Sequence, residues 1–281
     1  MPHVRGEVRV GISGWRYPPW RGVFYPPGLP QRSELHYASR RLTSIEINGS
    51  FYSLQSPDFY RTWRDQTPDD FLFAVKGPRF ITHMKKLRGV ETALANFFAN
   101  GLLALGDKLG PLLWQLPPNL GFDAGRMTDF LAMLPRTTSA AAELAKAHDD
   151  KVEGRTLTTA ATERPLRHAV EVRHPTFETG AFLDVLRAHD AAVVTADTAG
   201  KWPFFLEPTS DLAYVRLHGA EELYVSGYDE PALEQWAQRI RGWQDSGRDV
   251  VVYFDNDVKV RAPFDAQHLM AKLALRPVSG S

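Results

Sequence analysis

Leu212-Ala213-Tyr214-Val215-Arg216-Leu217-His218 is a short apolar run that ends on charge, and that ending decides the fold. A strand covered on both faces reads as a near-continuous apolar run, and side chains two apart point the same way, so Arg216 and His218 share a face at its C-terminal end. Short apolar runs recur, most of them ending in a polar cluster, at Val8 to Trp15, Ser44 to Asn48, Phe71 to Lys76, Leu109 to Leu116, His168 to Arg173, Ala192 to Asp197 and Val250 to Asn256. Between these runs lie stretches of helical periodicity, clearest at Leu94, Phe97, Phe98, Leu102 and Leu105 and at Leu233, Trp236, Ala237 and Ile240. Others cover 57–66, 125–134, 180–189 and 264–275. Eight strand candidates alternating with helices predict an α/β fold, a single (β/α)8 TIM-type barrel. An open doubly wound sheet is the alternative, but it gathers its site at one switch point, whereas here most strands end in polar groups.

Two segments depart from the regular alternation. Thr198 to Asp211 contains two prolines and no helical period, which predicts that the crossover between strands six and seven lacks a helix. Thr137 to Arg167 is long and rich in Ala, Thr and charge, and reads as an extra helix over 139–150 plus a surface excursion. Barrels routinely take about 250 residues as one unit, so one domain over 1–281, with its core at about 8–275, accommodates the chain. Pro277 to Ser281 is expected to fray.

Lys and Arg total 33, as do Asp and Glu, and this zero balance argues against a general nucleic-acid coat, which needs an excess of cations. Cysteine is absent, which removes disulfides, thiolate nucleophiles and cysteine-ligated metals together. The first nine residues are polar, and no stretch of 18 apolar residues occurs, so the expected location is cytoplasmic, away from membranes. There is no P-loop, GxGxxG after a strand, HExxH or GxSxG, and no cofactor is evident.

The strand ends supply the candidate site. Glu46 pairs with Asn48, Glu171 with Arg173, Thr195 with Asp197 and Arg216 with His218, while Lys76, Gln115 and Asn256 close their own strands. In a barrel the C-terminal strand ends face the mouth where the βα loops build the site, and buried charge is costly elsewhere. Glu171, Glu46, Asp197 and His218 are the acid–base candidates, with Glu171 foremost because Arg173 would orient it. Lys76, Arg173 and Arg216 are candidate anchors for an anion, with Asn48, Gln115 and Asn256 as further polar contacts. The bland alternative is a structural network in which the carboxylates simply neutralise these cations. In the first βα loop Trp15, Tyr17 and Trp20 stand beside arginines, suited to stacking on a sugar or base or, equally, to plugging the top of the barrel. Lys76 to Arg88 holds five Lys or Arg residues and no acid.

Gly11-Ile12-Ser13-Gly14-Trp15, Ser44-Ile45-Glu46-Ile47-Asn48-Gly49-Ser50-Phe51-Tyr52, Phe73-Ala74-Val75-Lys76, Gln115-Leu116-Pro117-Pro118, Val170-Glu171-Val172-Arg173-His174-Pro175, Tyr214-Val215-Arg216-Leu217-His218-Gly219 and Tyr253-Phe254-Asp255-Asn256-Asp257 together resemble the YecE-like family, domain of unknown function 72. The resemblance runs from about Val8 to Leu275. It implies a TIM barrel without a settled activity, similar in shape to metal-dependent apurinic endonucleases and sugar isomerases. The dense histidine set of those metal sites is missing, since only His218 and His174 fall near strand ends, and Asp255 stands where the wider family often has asparagine.

Three functions are therefore expected in order. The first is an enzyme, a hydrolase, lyase or isomerase, acting by acid–base chemistry on an anionic, phosphorylated sugar-like or nucleotide-like ligand. The second is a non-catalytic nucleic-acid-binding barrel using the basic loop 76–88 and the aromatic loop 15–25. The third has Glu46, Glu171, Asp197 and His218 hold a divalent metal for a hydrolase or isomerase.

Overall fold

A computed structural model describes residues 5–277, so the tail from Val278 to Ser281 lies outside the described residues. Eight parallel strands close into a barrel in sequence order, as the alternation predicts. The chain partitions into two compact units, the first formed by 1–46, 67–72 and 193–281 and the second by 47–66 and 73–192.

Unit 1 carries β1 (Val8–Ser13), α1 (Glu34–Ser39) and most of β2 (Ser44–Ile47). Unit 2 takes over with α2 (Gly49–Tyr52), α3 (Pro57–Gln66), most of β3 (Leu72–Lys76), α4 (Glu91–Ala99) and β4 (Leu109–Gln115). It continues through α5 (Ala124–Ala132), α6 (Thr138–Ala145), β5 (His168–Glu171) and α7 (Gly180–Ala188). Unit 1 resumes within β6 (Ala192–Asp197) and ends with β7 (Leu212–Leu217), α8 (Glu230–Asp245), β8 (Asp249–Phe254) and α9 (Ala262–Lys272). The crossover from β6 to β7 has no helix, and the extra helix after α5 is present over a shorter span than 139–150.

Within unit 1, β1 pairs with β2 and β8, and β7 pairs with β6 and β8. Residues in register on parallel strands point to the same face. The pairs Ser13↔Glu46, Gly11↔Tyr253 and Arg216↔Tyr253 therefore put Ser13, Glu46, Tyr253 and Arg216 on one side. Val215, Leu217, Val252 and Phe254 lie on the other, where they are buried. Gly11 has to be glycine because a Cβ there would meet the Ser44 carbonyl oxygen at 1.8 Å. Helix α8 starts where the Asp229 carboxylate accepts from Ala232 N, and it buries Leu233, Trp236, Ala237 and Ile240, the periodic set read from the sequence. Each large apolar side chain in that stripe contributes about 1.5–3 kcal/mol on burial.

In unit 2, β4 pairs with β3 and β5, and its outward-facing Trp114 anchors an aromatic core with Phe97 and Phe130. Trp114 Nε1 donates to His168 Nδ1 at 3.1 Å, which leaves His168 Nε2 to donate to the Pro135 carbonyl at 2.8 Å. The ring is thus neutral and fully bonded. Burial, with a smaller contribution from Arg136, lowers its pKa to about 4. The apolar run through Leu105 is not one helix. Gly101 takes φ 106°, with its Cα so close to Pro57 that a Cβ would stand 2.4 Å from the proline Cα, and a separate 3-10 stretch begins at Leu102.

Candidate active site

Unit 1 builds a buried ion network at the ends of β1, β2, β7 and β8. Arg216 is fully buried, and its fork grips Glu46, with Nε 3.1 Å from Oε2 and Nη2 2.9 Å from Oε1. The Tyr214 hydroxyl donates to Oε2 at 2.6 Å, and Ser13 Oγ donates to Oε1. Burial and the charge of Glu46 push the Tyr214 phenol well above its usual range, so it acts there as a donor. With both oxygens occupied by donors in a closed setting, Glu46 positions Arg216. The geometry gives it no opening for the acid–base role expected from the sequence.

Arg216 also reaches outward: Nη2 lies 2.9 Å from Asp255 Oδ2 and 3.0 Å from Ser13 Oγ, and Nη1 is 3.3 Å from His218 Nε2. A guanidinium only donates, so His218 Nε2 accepts and Nδ1, 3.1 Å from Asp255 Oδ2, carries the proton. His218 is buried, whereas the Asp255 side chain keeps 15% of its surface open. Arg216, expected to anchor a ligand anion, is instead committed to protein carboxylates on two sides.

Asp257 follows two residues on. Burial first, and the charge of Asp255 second, raise its carboxyl pKa to about 6, opposed by hydrogen bonding with its own backbone and with Tyr17. The Tyr17 hydroxyl gives its one proton to the Ser13 carbonyl at 2.5 Å, and its half-buried ring leans on Trp20 at 4.6 Å. Trp20 itself is fully buried, with Nε1 bonded to the Asp257 carbonyl, and Trp15 is buried with its carbonyl taken by Tyr25. Neither indole offers a stacking face, which corrects the expectation for Trp15 and Trp20. The rings pack under the loop.

Two further expectations fail by one residue of parity. Ala196 is in register with Arg216, so Asp197 points to the opposite face, where the Tyr228 hydroxyl donates to it at 3.2 Å. Burial raises its pKa. Asn256 likewise turns away from the network, donating to Asp265 at 2.8 Å and to the Ser226 carbonyl at 2.9 Å. Asp255, not Asn256, faces inward. Counting by twos from Tyr253 is the signal that finds Asp255, whereas Asp257 lies in the turn beyond β8, where strand alternation no longer applies.

Unit 2 has its own polar group at the ends of β3, β4 and β5. Arg173 Nε donates to Glu171 Oε1 at 2.9 Å, forming the ion pair expected from their spacing. Gln115 is in register with Glu171, and Lys76 with Leu113. Lys76 Nζ lies 4.4 Å over the Phe51 ring, and Phe51 meets His83 edge-to-face at 5.1 Å. Asn48 is the half-buried residue just before α2. His83 accepts or donates at Nδ1 with Thr82 Oγ1, 2.9 Å away. Its pKa is lowered to about 4, first by burial and then by Lys76, Arg173 and Arg79, with Glu171 opposing.

For the metal expectation, no three His, Asp or Glu side chains among the described residues are gathered as a metal ion requires. None of the helices among these residues is long and apolar enough to cross a membrane.

An eight-stranded parallel α/β barrel with buried ion networks at its C-terminal strand ends is the class that this geometry defines. Within that class the chain belongs to the DUF72 family, described as protein of unknown function, whose model matches residues 9–279. It is 31% identical over 114 residues to UPF0759 protein YecE of Escherichia coli (strain K12), covering 41% of this chain and 39% of that protein. It is 25% identical over 116 residues to UPF0759 protein YunF of Bacillus subtilis (strain 168), covering 40% of each. The matches thus span about two fifths of these relatives' length. Among solved structures, a DUF72 family protein from Thermotoga maritima MSB8 superposes with TM-score 0.76 at 24% identity, over 95% of this chain and 99% of that one. One from Enterococcus faecalis V583 gives TM-score 0.72 at 16% identity, over 95% and 96%. Both likenesses show the fold.

Proposed function

We propose that the protein is an acid–base enzyme for a small anionic substrate, of the phosphorylated sugar-like or nucleotide-like class, with Asp257 and Asp255 as its proton-transfer pair. One observation carries this reading: two carboxylates two residues apart sit in opposite surroundings. Asp255 is an ion-pair partner of Arg216 and faces the protonated nitrogen of His218, while Asp257 is half-buried beside that negative charge and keeps its proton up to about pH 6. Environments that pull two acidic groups apart supply a proton donor and a proton acceptor from one residue type. Asp257 is the donor, Asp255 the acceptor, and Arg216, Glu46, Ser13 and His218 hold the acceptor in place.

Within unit 2, burial first and then the charges of Lys76, Arg173 and Arg79 lower the His83 pKa, so that cluster by itself favours an anion. A second reading keeps Glu171 as the base, favoured by its burial and its fixed bond to Arg173. The test is to incubate the protein with a panel of sugar phosphates and nucleotides and to follow turnover by proton and phosphorus NMR. Once a substrate turns over, Asp257→Asn should lower kcat by roughly 10²–10⁴-fold with an unchanged melting temperature. Glu171→Gln should leave kcat within a few-fold. The reverse pattern moves the base to Glu171 and removes the aspartate pair.

A further inference from the structure

Away from the strand ends, unit 2 holds a cavity of about 590 Å³ between the residues after α2, the segment Pro78–Lys85 and α4. That volume falls inside the roughly 300–1,000 Å³ common for small-molecule sites. Its rim is apolar and open, with Tyr52 71%, Met84 64% and Phe80 36% exposed. Clustered exposed apolar groups mark binding surfaces more often than plain solvated ones. Phe80 opens a single π-helical turn, Phe80–Met84, a rare distortion that is frequent at functional sites.

Charge narrows what such a rim would take. Arg79, Lys85 and Lys151 line the cavity, against the single carboxylate of Asp149 among its lining residues. That carboxylate is already engaged, accepting from the Asn96 amide at 2.9 Å and from Lys151 N at 3.0 Å. These bonds, the backbone one first, hold it below its usual range, so it stays anionic but serves the turn at Asp150–Val152. Lys151 Nζ and Lys85 Nζ stand 5.5 Å and 5.8 Å from the Phe80 ring centroid. Two ammonium groups are thereby kept beside an aromatic face, and the balance of charge in the cavity is positive.

We propose that this cavity binds a small planar molecule carrying a phosphate, of the nucleotide type, with its ring against Phe80 and Tyr52 and its phosphate between Lys85 and Lys151. An apolar ligand would make no use of the two exposed ammonium groups beside the ring. A long nucleic acid would need a basic surface well beyond this cavity, and the chain's net charge of +0 offers no general excess. The site shares no residue with the aspartate pair, so it stands or falls independently of the acid–base reading.

Calorimetric titration of the full chain at low salt with AMP, FMN, adenosine and inorganic phosphate provides the test. AMP or FMN should bind at least tenfold more tightly than either adenosine or phosphate alone. Phe80→Ala and the double variant Lys85→Ala/Lys151→Ala should each lose tenfold or more in affinity, while Asp184→Asn, exposed on α7, binds as the parent does. Lys151→Glu, at an exposed turn position, gives the same readout should Phe80→Ala melt early. Three results would overturn the assignment: no binding of either AMP or FMN, phosphate binding as tightly as AMP, or full affinity in the variants. Affinity for a single-stranded oligonucleotide that climbs with its length past that of AMP would also overturn it, in favour of a nucleic-acid surface.

Discussion

In unit 1 a single guanidinium, Arg216, faces two carboxylates, Glu46 and Asp255, whereas in unit 2 Lys76, Arg173 and Arg79 are set against Glu171. Both arrangements grow from polar residues that end apolar strands, and each has beside it a part-buried group whose titration is displaced. Beside the first, Asp257 holds its proton to about pH 6; within the second, His83 gives its proton up at about pH 4. Burial is the larger cause of both shifts, raising the Asp257 carboxyl and lowering the His83 imidazole, and the neighbouring charge, Asp255 in one case and Lys76, Arg173 and Arg79 in the other, adds to each in the same sense.

The largest expected effect separates the two clusters by stability. Arg216→Met leaves Glu46 and Asp255 without their cation, and breaking a buried pair in this way costs roughly 3–5 kcal/mol. Lys76→Met removes one of several like charges and should cost much less. Urea melts of the two variants check the difference; equal losses would break the comparison.

The next effect concerns acid. His168 has a folded pKa of about 4 against 6.5 for the free side chain, so the unfolded chain takes up its proton first as pH falls. Stability should be full above pH 6.5 and decline as pH drops toward 4, by on the order of 3 kcal/mol from this group. His168→Gln should flatten the pH dependence of stability across that window, whatever its effect at neutral pH. A slope unchanged from the parent would show that burial does not set this titration.

A smaller effect distinguishes the two depressed histidines. His83 feels Lys76, Arg173 and Arg79 in addition to burial, while His168 is governed by burial. Added phosphate bound near those cations should raise the His83 pKa from about 4 and leave His168 alone, as read from histidine NMR titrations. Glu171→Gln, which deletes the opposing carboxylate, should lower His83 slightly further. A phosphate-independent His83 would detach the anion reading from this cluster.

Much of this was legible in the residues. All eight strands lie where apolar runs were marked out, most of them ending in a polar cluster, because burial on both faces leaves a continuous signal along the chain. Helices α1 and α2 were not read, since Glu34–Ser39 and Gly49–Tyr52 are too short to show a period. The errors at the site share one cause. Whether Asp197 or Ala196, and Asn256 or Asp255, faces inward depends on register with the neighbouring strand, Ala196↔Arg216 and Arg216↔Tyr253, which no single strand reveals. The burial of Trp20 was invisible for a related reason: it rests on Asp257, 237 residues away in sequence.

The central claim is that burial and the charge of Asp255 keep the Asp257 carboxyl above the usual aspartate range, and carbon NMR titration of that carboxyl tests it most directly. The account predicts a midpoint near 6 in the parent and a lower one in Asp255→Asn, still above the usual aspartate range because burial is the larger cause. A parent midpoint at or below the ordinary value of 3.8, or one that Asp255→Asn does not move, would contradict it.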